Sequence, residues 1–451
     1  MAIAVIDIGK TNAKLALVDL AQLAEIAVRR TPNEVVRAAP YPHFDVERLW
    51  TFILDSLRDL AREAQIEAIS ITTHGATGVL LAADGSLALP ILDYEHTGIE
   101  DTRAAYEKLR PPFAESGTPP LATGLNLGAQ FYWQQQSFPA AWAEVTSLLM
   151  YAQYWGFRLT GHQVSEATSL GCHTDLWAPA DGTFSSMVGR LGWTRLFPPM
   201  AKAADRLGTL LPAIAERTGL PATTPVHVGI HDSNASLLPH LLARRAPFAV
   251  LSTGTWVISL AVGARTIALD PARDTLINVN ALGQPTPSAR FMGGRENAIL
   301  GEELPPTNPA AIERVLGRGL MYLPAAQQGS GPFPHNAGRW TGDGTPAEQR
   351  AALSFYLALM AATCLDLIGA DGPTIIEGPF AANTEFASML RAATGRDVII
   401  EAAGTGTSIG AALLAGDANL KPGGETISDP GSSWSAYAAA WREAVGALGA
   451  T

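Results

Sequence analysis

The sequence predicts an α/β protein built as two related halves, on three observations. Residues Ala2–Ile8 form an apolar, β-branched-rich run that ends in Asp7-Ile8-Gly9, the pattern of a buried strand entering a tight turn. Phe248–Leu251, the Ser252–Thr255 turn and Trp256–Val262 repeat the strand–turn–strand layout of residues 2–19, the only internal echo in the chain. Elsewhere, segments with helical spacing alternate with short strand-like runs.

In chain order, Lys14–Asp19 and Glu25–Arg30 extend the first strand into a meander. Phe44–Ala64 carries helical spacing at Leu49, Phe52, Ile53, Leu57 and Leu60, and Ile66–Thr73 returns to strand. Ala83-Asp84-Gly85-Ser86 predicts a hairpin between Val79–Ala82 and Leu87–Leu92. From about 99 to 220 the chain reads as mostly helical, with Leu127–Gln136, Ala140–Val145, Tyr151–Leu159 and Ala213–Thr218 separated by proline-rich joints. Val226–Ile230 is a strand that delivers His231-Asp232 to a turn, and Ser233–Leu242 a helix. In the second half, Gln327–Gly342 reads as a loop. Pro346–Ile368 is a long helix with Thr345 placed to cap it and Pro346 in its first turn. Thr374–Glu377 and Val398–Ile400 are strands, Asn383–Thr394 and Ser408–Leu414 helices, and a linker and one helix, Ser433–Leu448, complete the chain.

Composition narrows the function classes. At roughly 150 residues per domain, 451 residues suggest two or three units. With 47% hydrophobic and 16% charged residues this is a well-buried globular composition. A net charge of -11 and the lack of basic runs argue against a nucleic-acid partner. An acidic chain can still hold a nucleotide, because local loops and a metal outweigh the global sign. Cys172 and Cys364 stand far apart, without a second Cys or a His pair at ligand spacing, which argues against a disulfide framework or zinc site and predicts two buried or inert thiols. Asp7 comes too early for a signal-peptide core, and no apolar run reaches the roughly 18 residues of a membrane span, so a cytoplasmic protein without a membrane partner is expected.

Two hairpin turns carry the phosphate chemistry. Gly9-Lys10-Thr11 mimics a P-loop, but position 4 is Ala where that loop needs Gly, and a strand follows instead of a helix. A β-turn whose amides and Thr11 hydroxyl face phosphate oxygens fits better, with Asp7 holding Mg²⁺ through water. Ser252-Thr253-Gly254-Thr255 follows the same logic, and two such turns facing each other could clamp a polyphosphate. His231-Asp232 is either a strand-end pair capping the next helix or a general base with its neighbour. His74 at a strand end, the polar group Asp93-Tyr94-Glu95-His96, and Gln130, Trp133 and Trp155 on helices suit hydroxyl or ring recognition, or else packing. Gly378-Pro379-Phe380 before Asn383, and Gly404-Thr405-Gly406-Thr407-Ser408, are glycine-rich approaches to helix starts, able to hold adenosine or phosphate.

These residues, in this order, resemble the FGGY carbohydrate kinase family over Ala2 to about Gly416. Asp7–Lys14 is similar to its first phosphate motif, with Lys10 where Thr is usual. Thr73-His74-Gly75-Ala76-Thr77 resembles the Met-His-Gly sugar segment of xylulokinases, without the Met. His231-Asp232-x-x-Ala235 and Ser252–Trp256 resemble the catalytic and second phosphate segments of the rhamnulokinase and fuculokinase branch. Gly378–Asn383 resembles the adenosine segment, with Glu377 replacing a Gly. Gln153 stands where an acidic residue is usual, and Asp93-Tyr94-Glu95 where Trp-Asn-Asp/Arg-Asp is usual.

The resemblance implies two RNase H-like domains, as in actin and Hsp70, flanking a cleft. Residues 1–244 would bind sugar and catalyse, 245–416 would bind nucleotide, and 417–451 would be a linker and C-terminal helix. It implies ATP and Mg²⁺ as cofactors, with Asp7 at the metal. Asp232 is the catalytic base, and His74, Gly75, Glu95, Gln130, His231 and Asp232 contact the sugar. Gly9, Lys10, Thr11, Asn12, Thr253, Gly254, Thr255, Gly378, Pro379 and Asn383 contact the nucleotide. The expected acceptor is a ketose, either a ketopentose or a 6-deoxyketohexose such as L-fuculose or L-rhamnulose. A polyol kinase of glycerol or erythritol type and a catalytically silent sugar or nucleotide sensor are the alternatives. Oligomeric state stays open, with a homodimer as the assembly to test.

Overall fold

The computed structural model describes residues 1–401, 406–418 and 420–450. By its contacts the chain forms two compact units. The first comprises Met1–Ala243, Ile277–Pro285 and Gly404–Lys421. The second comprises Arg244–Leu276, Thr286–Ala403 and Pro422–Thr451.

In the first unit, β1 (Ala2–Ile8) pairs antiparallel with β2 (Asn12–Asp19), and β2 with β3 (Ala24–Pro32). Helix α1 (Val46–Leu60) follows, started by Asp45, whose side chain accepts the Arg48 amide at 3.1 Å. Strand β4 (Ile66–Thr73) then pairs parallel with the other edge of β1. The apolar run of β1 is unbroken because both faces are covered. Ala4, Ile6 and Ile8 join Leu49, Ile53 and Leu57 of α1 in one core, whereas Ile3 and Val5 join Ala235 and Leu238 in another.

Strand β5 (Gly78–Leu81) does not form the expected hairpin with Leu87–Leu92. The turn exists, with Ala82 donating to Ser86 at 2.9 Å, but only Leu81 and Leu87 bridge beyond it. Pro90 has no N–H to continue a ladder. Helix α2 (Leu127–Ser137) leads to β6 (Ser147–Met150), which takes β5 as its antiparallel partner. Helix α3 (Tyr151–Thr160) and the edge strand β7 (Arg206–Thr209) follow, so the stretch read as mostly helical also supplies strands.

The strand expected at Val226–Ile230 is divided into β8 (Pro225–His227) and β9 (Ile230–His231), both on β4. Gly229 causes the break: its φ is +89° and an added Cβ would lie 2.8 Å from the Ile71 carbonyl oxygen. Gln153 secures the break from α3, its amide nitrogen 3.2 Å from the Val228 oxygen. Gly229→Ala is expected to cost about 1–3 kcal/mol, from the left-handed φ and the backbone clash together. An unchanged denaturant midpoint would contradict this. Helix α4 (Asp232–Ala243) begins directly after β9.

The second unit repeats the layout. β10 (Phe248–Thr253) pairs antiparallel with β11 (Val257–Val262), and β11 with β12 (Pro285–Phe291). Helix α5 (Gly293–Gly301) follows, then α6 (Pro346–Leu367). Strand β13 (Thr374–Glu377) pairs parallel with β10, helix α7 (Thr384–Thr394) packs on α6, and β14 (Val398–Ile400) pairs parallel with β13. A two-residue strand, β15 (Glu425–Thr426), adds an edge in what was read as linker, and helix α8 (Ser432–Gly446) follows it. Each unit is therefore a three-strand antiparallel meander whose first strand continues into parallel strands, the expected RNase H-like order. Thr345 caps α6 as predicted, in a reciprocal box with Glu348. Among the described residues α6 alone is long and apolar enough to cross a bilayer, and 78% of its most apolar window is buried inside the fold.

Candidate active site

The first unit brings the N-terminal turn, the end of β4, the Asp93–Glu95 segment and the β9–α4 junction together. The β1–β2 turn is tight: Gly9 donates to the Asn12 carbonyl at 2.9 Å. Asn33 clamps it from β3's end, with its side-chain amide on the Gly9 oxygen at 2.8 Å and its backbone amide on the Thr11 oxygen at 2.8 Å. Thr11 and Asn12 remain exposed at the tip.

Asp7 lies beneath that tip, with Lys14 Nζ 3.4 Å from its carboxylate. Burial pushes the Asp7 carboxyl up to about 6; Lys14 opposes the rise and the negative charge of Asp232 adds to it. Asp232 opens α4, and its Oδ1 accepts the Ser233 amide at 2.6 Å and the Ser233 hydroxyl at 3.3 Å. His231 Nε2 is 3.2 Å from the same oxygen. This ring is lifted to about 9: burial opposes its protonation, but the charges of Cys172 and Asp232 prevail.

His74 sits at the end of β4, with its amide on the Ile8 carbonyl at 2.9 Å. Its Nδ1 is 2.9 Å from the Gly75 oxygen, which makes Nδ1 the donor. Nε2 is buried, has no protein partner and is therefore an acceptor. Burial holds the ring down to about 4, so it is neutral near pH 7. Phe44, Tyr94 and Tyr151 surround it, with ring centroids 5.3–5.8 Å away.

Several expected contacts are committed elsewhere. Lys10, expected at the nucleotide, turns its ammonium to Asp93 and to Glu95 (3.6 Å), and stands over the rings of Tyr94 at 4.9 Å and Phe44 at 5.1 Å. The Gln130 amide nitrogen holds loops, donating to the Ala76 and Gly124 oxygens at 2.6 Å each. Gly75 packs against His231 and Cys172 and offers the site only backbone. Glu95 is exposed at the rim.

In the second unit the Thr253 hydroxyl donates to the Glu377 carbonyl and accepts from the Phe380 amide at 3.1 Å, so it locks β10 to β13. Asn383 caps α7, accepting the Phe386 amide at 2.9 Å and donating to Ser354 at 3.0 Å. Gly378 and Pro379 form the tight turn between those two contacts. Gly254 and Thr255 are left at the β10–β11 tip, where Gly294 donates to the Thr255 carbonyl at 3.2 Å. The N-terminus of α5 against this turn is absent from the sequence reading; the Gly293-Gly294 pair that opens the helix was its available signal. Of Gly404–Ser408, Gly404 and Thr405 lie outside the described residues, while Gly406 precedes a helix, Thr407–Ala412, that packs on β1 and β4 of the first unit.

The family model for the N-terminal domain of the FGGY family of carbohydrate kinases matches residues 2–239, and that for the carbohydrate kinase FGGY C-terminal domain matches residues 245–422. The chain belongs to the FGGY family of carbohydrate kinases. L-fuculokinase of Escherichia coli (strain K12) is 27% identical to this FGGY chain over 282 residues, covering 58% of it and 57% of the relative. Rhamnulokinase of Bacteroides thetaiotaomicron is 25% identical over 266 residues, covering 56% and 53%. The chain thus spans about half the length of the curated relatives it matches. A carbohydrate kinase from Novosphingobium aromaticivorans superposes with a TM-score of 0.91 at 39% identity, over 99% of this chain and 98% of that one. Plasmodium falciparum glycerol kinase with ADP superposes at 0.81 with 14% identity over 99% and 98%, which shows the shared FGGY fold.

Proposed function

We propose that this FGGY kinase transfers a phosphoryl group from ATP to a primary hydroxyl of a ketose, with Asp232 as general base. The observation that carries the reading is the placement of Asp232. It stands at a strand–helix junction, in electrostatic range of Asp7 and of the unpartnered Nε2 of His74. One substrate hydroxyl that donates to His74 Nε2 would satisfy a buried acceptor and fix the sugar, leaving a different hydroxyl, the phosphoryl acceptor, to give its proton to Asp232.

Mg²⁺ fits Asp7. Among the described residues no group of three or more His, Cys, Asp and Glu side chains could form an all-protein cage. A single raised carboxylate, completed by water and phosphate oxygens, suits a cation that keeps much of its hydration shell. When bound, Mg-ATP supplies the transferable phosphoryl group. Asp232 takes the proton as the acceptor oxygen bonds to phosphorus and the bond to the leaving ADP breaks. Lys10, held by Asp93 and over the Tyr94 ring, is on the sugar side and would meet substrate hydroxyls instead of phosphate. We assign nucleotide contacts in the second unit to Gly254, Thr255 and the α5 N-terminus, with Thr253 and Asn383 holding their frame.

The reported relatives are named L-fuculokinase and rhamnulokinase, which supports a 6-deoxyketohexose as an acceptor class beside the ketopentoses. An ADP-release assay against ketopentoses, 6-deoxyketohexoses, glycerol and erythritol tests this. Highest kcat/KM on a ketose is expected. A preference for polyols would move the assignment to that class, and absence of turnover across the panel would overturn it.

A further inference from the structure

Cys172 follows the short Ala167–Leu170 helix, in a segment fixed on every side. Thr174 donates its hydroxyl to the Leu170 carbonyl, and His173 Nδ1 is 2.6 Å from the Leu125 oxygen. Asp175, fully buried, is bound by Arg110 at 3.0 Å and by the Tyr106 hydroxyl at 2.7 Å. Within this frame the Cys172 sulfur is 3.4 Å from His231 Nε2, the same nitrogen that is 3.2 Å from Asp232 Oδ1. Nδ1 of the ring is 3.3 Å from the Asn234 amide nitrogen. If the ring is neutral and Nδ1 accepts from Asn234, its proton is on Nε2; if the ring is charged, Nε2 is protonated in any case. One N–H therefore faces both a sulfur and the carboxylate. Gly75 closes the remaining side, since a Cβ there would lie 3.0 Å from Nε2 and 3.2 Å from the sulfur.

We propose that Cys172 is a positioning residue for phosphoryl transfer, holding the imidazole of His231, and through it the carboxylate of Asp232, in the orientation that meets the acceptor hydroxyl. This rests on the assignment of Asp232 as general base. The surrounding charges favour the same arrangement. Burial alone would keep the thiol protonated, yet His173 and His231 bring it down to about 5. Burial alone would keep His231 neutral, yet Cys172 and Asp232, with Glu166 adding from below, lift it. His74, neutral in its own recess, is the other titratable group that senses this ring. Both shifts run in the direction that favours an imidazolium–thiolate pair beside the base. Cys364 moves the opposite way, since burial raises its pKa, and it stays a thiol.

Ultraviolet thiolate absorbance across pH tests the pair directly, because the chain has only two cysteines. The native protein should show a thiolate step well below the ordinary thiol pKa of about 8.5. The step should vanish in Cys172→Ser and move up in His231→Gln. Cys172→Ser and Cys172→Ala should each lower kcat about 10-fold or more, with KM for sugar and ATP within about twofold. A thiol that merely fills space would titrate at or above its ordinary pKa, and near-isosteric serine would keep the native kcat; either result overturns the proposal. The native titration does not depend on how the variants fold. A protein with the low-pH step but no sugar phosphorylation would overturn the kinase assignment and leave the Cys172–His231 pair standing.

Discussion

Asp232→Asn is expected to lower kcat by about 10²–10⁴-fold, the range for loss of a general base, with the larger effect in kcat than in KM. The argument is local. Asn has the shape of Asp, and its oxygen can keep accepting the Ser233 amide that Asp232 Oδ1 accepts at 2.6 Å. The side chain is 33% exposed and opens a helix rather than filling a core, so the fold should be little changed. What disappears is the ability to take a proton from the acceptor hydroxyl. His231 cannot replace it, because its Nε2 already points at that carboxylate and carries a proton near neutral pH. The charge change also reaches Asp7, whose proton affinity is raised in part by Asp232. Steady-state kinetics on the best acceptor, with the thermal midpoint as control, decides the matter. Turnover near the native level in a folded variant would remove Asp232 from the mechanism.

How much of this was legible in the sequence depends on the range of the determining interaction. The β1–β2 turn, the strand–helix junction at His231-Asp232 and the Thr345 cap are set by a few consecutive residues, and each could be read. The broken strand at Gly229 was missed because the constraint is the Ile71 carbonyl on a neighbouring strand. The partner of β5 was missed because an inviting local turn competes with a strand about seventy residues away, and Pro90 settles the competition. Side-chain roles were the least legible. Lys10 sits in a phosphate-type turn, but its ammonium is claimed by Asp93, 83 positions on. Thr253 and Asn383 are the right residue types for polar ligand contacts, yet their hydrogen bonds close the fold. Cys172 reads as an inert thiol until the imidazole 59 positions away is placed beside it.

Gly410→Ala should be the most damaging of the conservative substitutions, costing about 2–3 kcal/mol or more of stability, with activity falling as well. Gly410 lies in the Thr407–Ala412 helix, where an added Cβ would stand 1.7 Å from the Ala235 carbonyl oxygen of α4 and 3.3 Å from Pro239 Cδ. The reason the carbonyl is there lies in the sequence. Pro239 has no N–H to offer the oxygen four residues earlier, and its ring pushes that carbonyl outward. A glycine opposite is what lets the displaced carbonyl approach a neighbouring helix so closely. A methyl group at that point meets backbone, which cannot rotate away, so the helices must separate. Because α4 starts at Asp232, any shift along its axis also moves the base relative to Asp7 and His74. Denaturant unfolding and kinetics on Gly410→Ala, Pro239→Ala and the double variant test the coupling. Restoring the N–H in Pro239→Ala lets the Ala235 carbonyl return to the α4 ladder, so the double variant should be less damaged than the two single losses added together. Strict additivity would separate Pro239 from Gly410, and an undisturbed Gly410→Ala protein would show that the helix crossing has slack.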